Sequence, residues 1–384
     1  MQRINIPTRP TWQKRCEEAG FTYHTSEDGV PYWRESAAYR LSSTEIDDIE
    51  EATNVLHAMC LDHAADIVKR GDYQKYAFPA AVCELVERSW NLHERSLYGR
   101  FDLAYNGTEI KLLEYNADTP TSLLEAAVCQ WHAKEDRGWP DQFNSLHERL
   151  IVRWSEIFGS FRPPILTFTA MESAGWEDWG NLGYLFSTAA EAGFNCVTTH
   201  LEKIAWSDEA ASFFDSQGRA ITACFKLYPW EWMLAEQFGW NIQKASTRWI
   251  EPAWKLLLST KALLPQLWAR HPNNPFLLPA YFEADMGTGT PGGKWARKPV
   301  LSREGANIAL VENGIRRPLA GSTENPVYDE SGYVLQQWFD IPGFDGFHPV
   351  LGSWVIGDEA SGMGIREDRG VTGNASCFVP HYFE

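Results

Sequence analysis

Two short runs of alternating residues face each other across an Asn-Gly pair, and they limit the possible fold more than any other stretch of this chain. Phe101, Leu103 and Tyr105 lead into Asn106-Gly107, and Ile110, Leu112 and Leu113 follow it. That pattern predicts a β-hairpin. Interleaved with the apolar residues stand Arg100, Asp102, Glu114 and Asn116, and carboxylates and amides are poor strand formers. Side chains on strands alternate faces, so the turn decides which of them meet. A two-residue turn at Asn106-Gly107 sets Asp102 opposite Lys111, away from Glu114 and Asn116. A three-residue loop from Asn106 to Thr108 pairs Tyr105 with Glu109, Asp102 with Leu112 and Arg100 with Glu114, and then all four polar groups share a face. The expectation is a turn with an odd number of residues. Such hard oxygen donors suit Mg²⁺ held by carboxylates together with nucleotide phosphates. The same spacing also fits a solvated hairpin face with an ordinary Arg–Glu cross-strand pair.

Around the hairpin the chain reads as α/β, in the α+β sense. "STEIDDIEEATNVLHAMCLDHAADIVKR" opens on Ser43 or Thr44 as N-cap, with acids in the first turn and apolar residues at Ile46, Ile49, Val55, Leu56 and Met59. A second helix is predicted over Pro79 to Leu92, and another enters through Thr121 or Ser122 after Pro120. "PPILTFTAMES", "NLGYLFSTAAEAG" and "CVTTH" follow in strand–helix–strand order, the pattern of a lobe that holds ligands at the carboxyl ends of its strands. Ile250 to Arg270 reads as helix, and "MGTGTPGG" from Met286 to Gly293 as a flexible glycine loop.

The chain has 384 residues, enough for two or three interlocked lobes, and 44% of them are hydrophobic, ample for a core. Its net charge of −17 repels phosphodiester backbones and anionic lipid, which argues against a nucleic-acid or membrane-surface partner. Any phosphate must be held by local cations or metal. Seven cysteines, an odd number with no C-x-x-C spacing, read as reduced thiols. With no apolar leader or long apolar run, the expected location is the cytoplasm.

Those local cations exist. Lys261 lies in "LLLSTKALLP", and Lys294, Arg297, Lys298 and Arg303 lie in "GGKWARKPVLSREGANI". A lysine entering "KPVL" before the small-residue turn "REGAN" places a cation beside backbone N–H groups, an arrangement able to meet a triphosphate. Each lysine taken singly also reads as a solvated side chain. Neither G-x-x-x-x-G-K-[ST] nor G-x-G-x-x-G after a strand is present.

Taken together, "YGRFDLAY", "LLEYNADTPTS", "STKALLP", "LLPAYF", "KPVLSREGANI" and "GIRED" resemble, in order, the synthetase portion of the glutathionylspermidine synthase family. The resemblance runs from "FTYHTSEDGVPYW" to "FVPHY", essentially the whole chain. It implies an ATP-grasp fold in permuted order. One synthetase unit over 1–384 is expected, with a helical part at 1–98, the hairpin and an α/β substrate-side lobe at 99–245, a nucleotide lobe at 246–384, and no amidase domain. It further implies an ATP-dependent carboxylate–amine ligase that works through an acyl phosphate and releases ADP and phosphate, acting on a small-molecule acid and amine. By this resemblance Asp102, Glu114 and Asn116 would hold Mg²⁺, two ions in all. Arg100, Phe101, Asp102, Lys261, Lys298, Gly305, Gln337, Val371, Thr372 and Gly373 would surround ATP. Arg100 and Arg366 would stabilise charge at the reacting phosphoryl and acyl phosphate, and Thr119, Thr121 and Glu177 would meet substrate.

"YPWEW", Tyr228 to Trp232, combines a carboxylate with aromatic faces suited to an amine, and it fits core packing equally. Departures from the family pattern bear on the acid. Leu227 stands where glutathione-using enzymes carry threonine, and Thr119 and Thr121 stand where serines are usual. A lost hydroxyl removes a hydrogen bond of roughly 0.5–1.5 kcal/mol, which weighs against glutathione. The alternative is an ATP-binding or ATPase-only relative acting as a regulatory or binding protein.

Overall fold

The computed structural model describes residues 1–26, 28–76, 78–286, 292–303, 305–373 and 376–384. Among these residues the hairpin strands Tyr98–Tyr105 and Ile110–Asn116 form one side of a five-stranded antiparallel sheet. His348–Ile356, Glu359–Asp368 and Cys377–Val379 complete it, in that order outward from Tyr98–Tyr105. A four-stranded parallel sheet, Arg248–Ile250, Ala223–Lys226, Leu166–Ala170 and Cys196–His200, stands beside this central sheet. A second five-stranded antiparallel sheet runs Ala280–Phe282, Tyr333–Gln337, Lys294–Pro299, Ala309–Glu312 and Ile315–Pro318. The chain's two ends share a small sheet in which Ala37–Leu41 pairs with both Gln2–Asn5 and His381–Phe383.

The helix Ser43–Arg70 covers one face of the central sheet with Ile49, Ala52, Leu56 and Cys60, all fully buried. Its start is one residue earlier than the sequence pattern suggests. Ser42 is the N-cap and forms a capping box with Glu45, the Ser42 hydroxyl accepting from Glu45 N–H at 3.2 Å and Glu45 Oε2 from Ser42 N–H at 2.9 Å. Glu45 Oε1 also accepts from the Tyr105 hydroxyl at 2.9 Å, which ties the helix start to the hairpin. The second predicted helix is present as Ala80–Asn91, and the strand–helix–strand unit as Leu166–Ala170, Trp176–Glu191 and Cys196–His200.

The hairpin corrects the turn expectation. Tyr105 pairs with Ile110, so the loop Asn106–Glu109 has four residues, an even number. The polar groups still share a face because the register shifts between Asp102 and Leu103: Leu103 faces Leu112 while Asp102 faces Glu114, which leaves Leu113 as an extra, bulged residue. Leu112 therefore points into the core and Glu114 away from it, although their spacing would put them on one face of a regular strand. One further expectation gives way. The helix predicted over Ile250 to Arg270 is a short 3₁₀ turn, Ala253–Leu257, then a helix at Leu263–Arg270, and Lys261 lies in the break. The helix after Pro120 is entered through Ser122, within the expected pair: Leu123 is its first helical residue, Ala126 N–H donates to the Ser122 carbonyl at 3.2 Å, and the helix runs through a π-helical turn over Glu125–Cys129. Residues 287–291 of the glycine loop and Glu304 of "REGAN" lie outside the described residues. Among the described residues no helix is long and apolar enough to cross a membrane.

Candidate active site

Asp102 and Glu114 stand directly opposite each other on the hairpin, with Arg100 opposite Asn116. Asp102 is buried and accepts from Arg100 Nε at 2.7 Å through Oδ1, from Arg100 Nη2 at 3.2 Å and from Arg366 Nη2 at 2.9 Å through Oδ2. Arg100 also donates from Nη1 to the Thr121 carbonyl at 2.7 Å, holding the loop that follows the hairpin. Room for its side chain comes from Gly352, paired with Asp102 on the next strand: a Cβ there would stand 2.9 Å from Arg100 Cδ.

Glu114 pairs with Lys261 at 3.1 Å. Burial alone would raise its pKa, but Lys261, Lys298 and Arg100 outweigh that and hold it at about 2, so it is ionised throughout the neutral range. Asn116 donates to Glu114 Oε1 at 3.4 Å. The bulge has a second use. Lys298, on Lys294–Pro299, donates to the Leu113 carbonyl at 3.1 Å and to Gln336 Oε1 at 2.7 Å, and Gln336 donates to the Leu112 carbonyl at 2.8 Å. These bonds fasten the second antiparallel sheet to the hairpin. Burial lowers the Lys298 pKa to about 8 despite the attraction of Glu114.

Two cavities meet at this wall. The larger, about 400 Å³, lies between the two antiparallel sheets and is lined by Ala296, Lys298, Ile308, Gln337, Val350, Val371 and Thr372. The smaller, about 180 Å³, opens toward the parallel sheet and is lined by Arg100, Asn116, Thr119, Thr121, Glu177, Leu227, Trp232, Arg303, Arg366 and Gly373. Asp102, Glu114, Gly305 and Thr372 line both. Gly305 has a φ of +71°, and an added Cβ would lie 3.0 Å from Val371, so a small residue is needed where its loop crosses the cavity.

Nearly all the site residues expected from sequence are thus brought together. Lys261 reaches them through Glu114, and it also donates to the Ser302 carbonyl at 2.9 Å. Phe101 is the exception: it is fully buried on the opposite face of its strand and stacks on Tyr115 at 3.8 Å, so its side chain belongs to the core. Two clamps were not expected. Arg303 donates to Thr119 Oγ1 at 2.9 Å and to Glu231 Oε1 at 2.6 Å, bridging the loop before Gly305 to the segment that follows the hairpin and to the parallel-sheet lobe. Asp118, between Asn116 and Thr119, is buried against Lys226 at 2.7 Å and accepts from Trp230 N–H at 2.9 Å. The mixed charges of "NADTP" and "FKLYPWE" were the available signal for the second clamp.

The charges do not cancel at the shared wall. Arg100, Arg366, Lys261 and Lys298 surround two carboxylates, Asp102 and Glu114, an excess that suits a polyanion with a divalent ion. Among the described residues no three His, Cys, Asp or Glu side chains cluster as a metal site. Asp102, Glu114 and Asn116 offer two carboxylates and an amide, hard-oxygen groups that could hold a divalent ion and leave other positions to phosphate.

Residues 3–384 match the glutathionylspermidine synthase preATP-grasp family. The chain belongs to that family. A Haemophilus influenzae protein provisionally named an acid–amine ligase is 48% identical over 392 residues, covering 100% of both chains. Trypanothione synthetase of Crithidia fasciculata is 26% identical and the bifunctional glutathionylspermidine synthetase/amidase of Escherichia coli 24%, over 84% and 86% of this chain. Against those two the chain spans little more than half of their length, 53% and 56%. In structure the family member resembles a glutathione synthetase-like effector of Globodera pallida, with a TM-score of 0.55 at 10% identity over 99% of this chain and 100% of the other.

Proposed function

We propose that this protein is an ATP-dependent carboxylate–amine ligase of the ATP-grasp type, with its strands in permuted order. The observation that carries the reading is the shared wall: Asp102 and Glu114 border both an apolar-sided cavity between two sheets and a chamber lined by arginines and carboxylates. The larger cavity would take the nucleotide, with the base toward Gln337 and the phosphates toward Lys298, Lys261 and Arg100. Mg²⁺ bound by Asp102, Glu114 and Asn116 would neutralise phosphate charge during transfer.

In the chamber a carboxylate oxygen of the acid attacks the γ-phosphorus, and ADP leaves. The amine nitrogen then attacks the acyl carbon, and phosphate departs with the transferred oxygen while the nitrogen gives up its proton. Arg100 and Arg366 face the Asp102 side of this path and stabilise the negative charge that develops. Thr119 and Thr121 stand at the acid end, and Glu177 and Trp232 offer charge and an aromatic face to an ammonium. Leu227 gives the chamber an apolar patch where a glutathione-using site would offer a hydroxyl, which favours a different acid.

Incubation with ATP, Mg²⁺ and mixtures of small acids and amines tests this, with ADP measured by a coupled assay and conjugates by mass spectrometry. The expected result is one conjugate per ADP, with Asp102→Ala and Glu114→Ala each lowering turnover by at least about 100-fold. ATP binding without any acid- and amine-dependent ADP release would instead support a non-catalytic relative.

A further inference from the structure

Behind the chamber, across Tyr228, lies another cavity of about 330 Å³ that the ligase reading leaves unused. Tyr228 lines both spaces. The walls are buried apolar side chains, Phe213, Met233, Ile242 and Trp249. Edge-on ring contacts hold them in place: Trp206 on Phe213 at 4.9 Å and Phe213 on Trp249 at 5.6 Å. The described residues lining this cavity include two carboxylates, Glu202 and Glu236, and no lysine or arginine.

Both carboxylates are held without a cation. Glu202 accepts from the Glu172 N–H at 3.0 and 3.1 Å, and Glu236 Oε1 accepts from the Tyr228 hydroxyl at 2.7 Å. Burial and the bond to Glu236 both raise the Tyr228 pKa, so the phenol keeps its proton and remains the donor. The space opens to solvent where Glu202, Glu236 and Phe238 are exposed, and an apolar floor beneath two carboxylates at the rim complements a ligand that is apolar over most of its surface and positive at one end. Aromatic walls add to the attraction for such a cation. A polyamine, charged along its length, would have to set some of its nitrogens against the apolar floor, away from the two carboxylates at the rim.

We propose that this cavity binds a single-charged organic ammonium with an aromatic or branched apolar body, at a site separate from the reaction chamber. The shared wall lets the occupant influence the chamber: the Tyr228 ring packs edge-on against Trp232 at 5.7 Å, and the Arg303 guanidinium lies 5.5 Å from the Trp232 ring. The inference does not depend on the identity of the acid or amine that is ligated.

Calorimetric titration of the full-length protein with three probes of one shape decides the matter. Phenethylammonium should bind about tenfold more tightly than 2-phenylethanol, and 3-phenylpropanoate more weakly still. Glu202→Gln with Glu236→Gln should erase the preference for the cation, and Ile242→Trp, which fills the space, should abolish binding of all three. Equal binding of the alcohol and the ammonium, no binding at millimolar phenethylammonium, or undiminished binding to a folded Ile242→Trp protein would each overturn the proposal. Should Ile242→Trp fail to fold, Glu202→Gln with Glu236→Gln, both at exposed positions, decides it: a cation preference that persists in that protein belongs to the reaction chamber and overturns the proposal.

Discussion

Lys298 is charged at neutral pH only by a narrow margin, because burial brings its pKa down to about 8. A bound triphosphate favours the protonated form, so nucleotide affinity should be flat below about pH 8 and fall above it, by up to about tenfold per pH unit. For the folded protein alone the sign is opposite. The lysine's folded value lies below its ordinary 10.5, so folding stability contributed by this group rises between about pH 8 and 10.5. Calorimetry of ATP binding from pH 7 to 9.5 checks the first statement. Lys298→Arg, which keeps its charge, should lose the decline, and an unchanged slope in that variant would assign the titration to another group. At this scale Asp102, Glu114, Asn116 and Lys298 stand out in the sequence as oxygen donors and cations among strand residues, whereas Arg366 enters only through the family resemblance. Phe101 was misjudged because its immediate neighbours are site residues while its own side chain turns to the core. Arg303 was visible as a cation, but its partners Thr119 and Glu231 lie 184 and 72 residues away, a pairing that only the fold creates.

The elements were legible where their signals are local. Helix Ser43–Arg70 shows in the sequence through its acidic first turn and apolar stripe, while its capping box starts at Ser42, one residue before the expected N-cap, and it closes at Gly71 with φ +65°. Ser42→Ala should remove roughly 1 kcal/mol and lower the thermal midpoint by about 2 °C without changing ATP turnover. An unchanged midpoint would mean that Tyr105 and the N-terminal amine secure Glu45 without the cap. The hairpin register was not legible in the same way. Face alternation can be reset by the turn or by a bulge, and both solutions put Asp102, Glu114 and Asn116 together. The bulge at Leu113 prevails for a reason outside the hairpin: it aims the Leu113 carbonyl at Lys298 of another sheet. The break before Lys261 has a similar origin, since the Lys261 N–H donates to the Val300 carbonyl at 2.9 Å where a continuous helix would have used it.

At the scale of the whole molecule, the chain order of the motifs implied a shared site, and the sheets explain how it is assembled. Strands near residue 100 lie beside strands near residue 355, and the second antiparallel sheet is held to them by Lys298 and Gln336. Among the described residues the two cavities share Asp102, Glu114, Gly305 and Thr372, and the proposed mechanism would set the reacting phosphoryl group at that line. Crystals grown with Mn²⁺ and a non-hydrolysable ATP analogue test this arrangement directly through the anomalous signal of the metal. The account predicts manganese within coordination distance of Asp102 and Glu114, with the analogue's base between the two antiparallel sheets. Manganese bound away from both carboxylates, or the base lodged in the chamber beside Glu177, would contradict it.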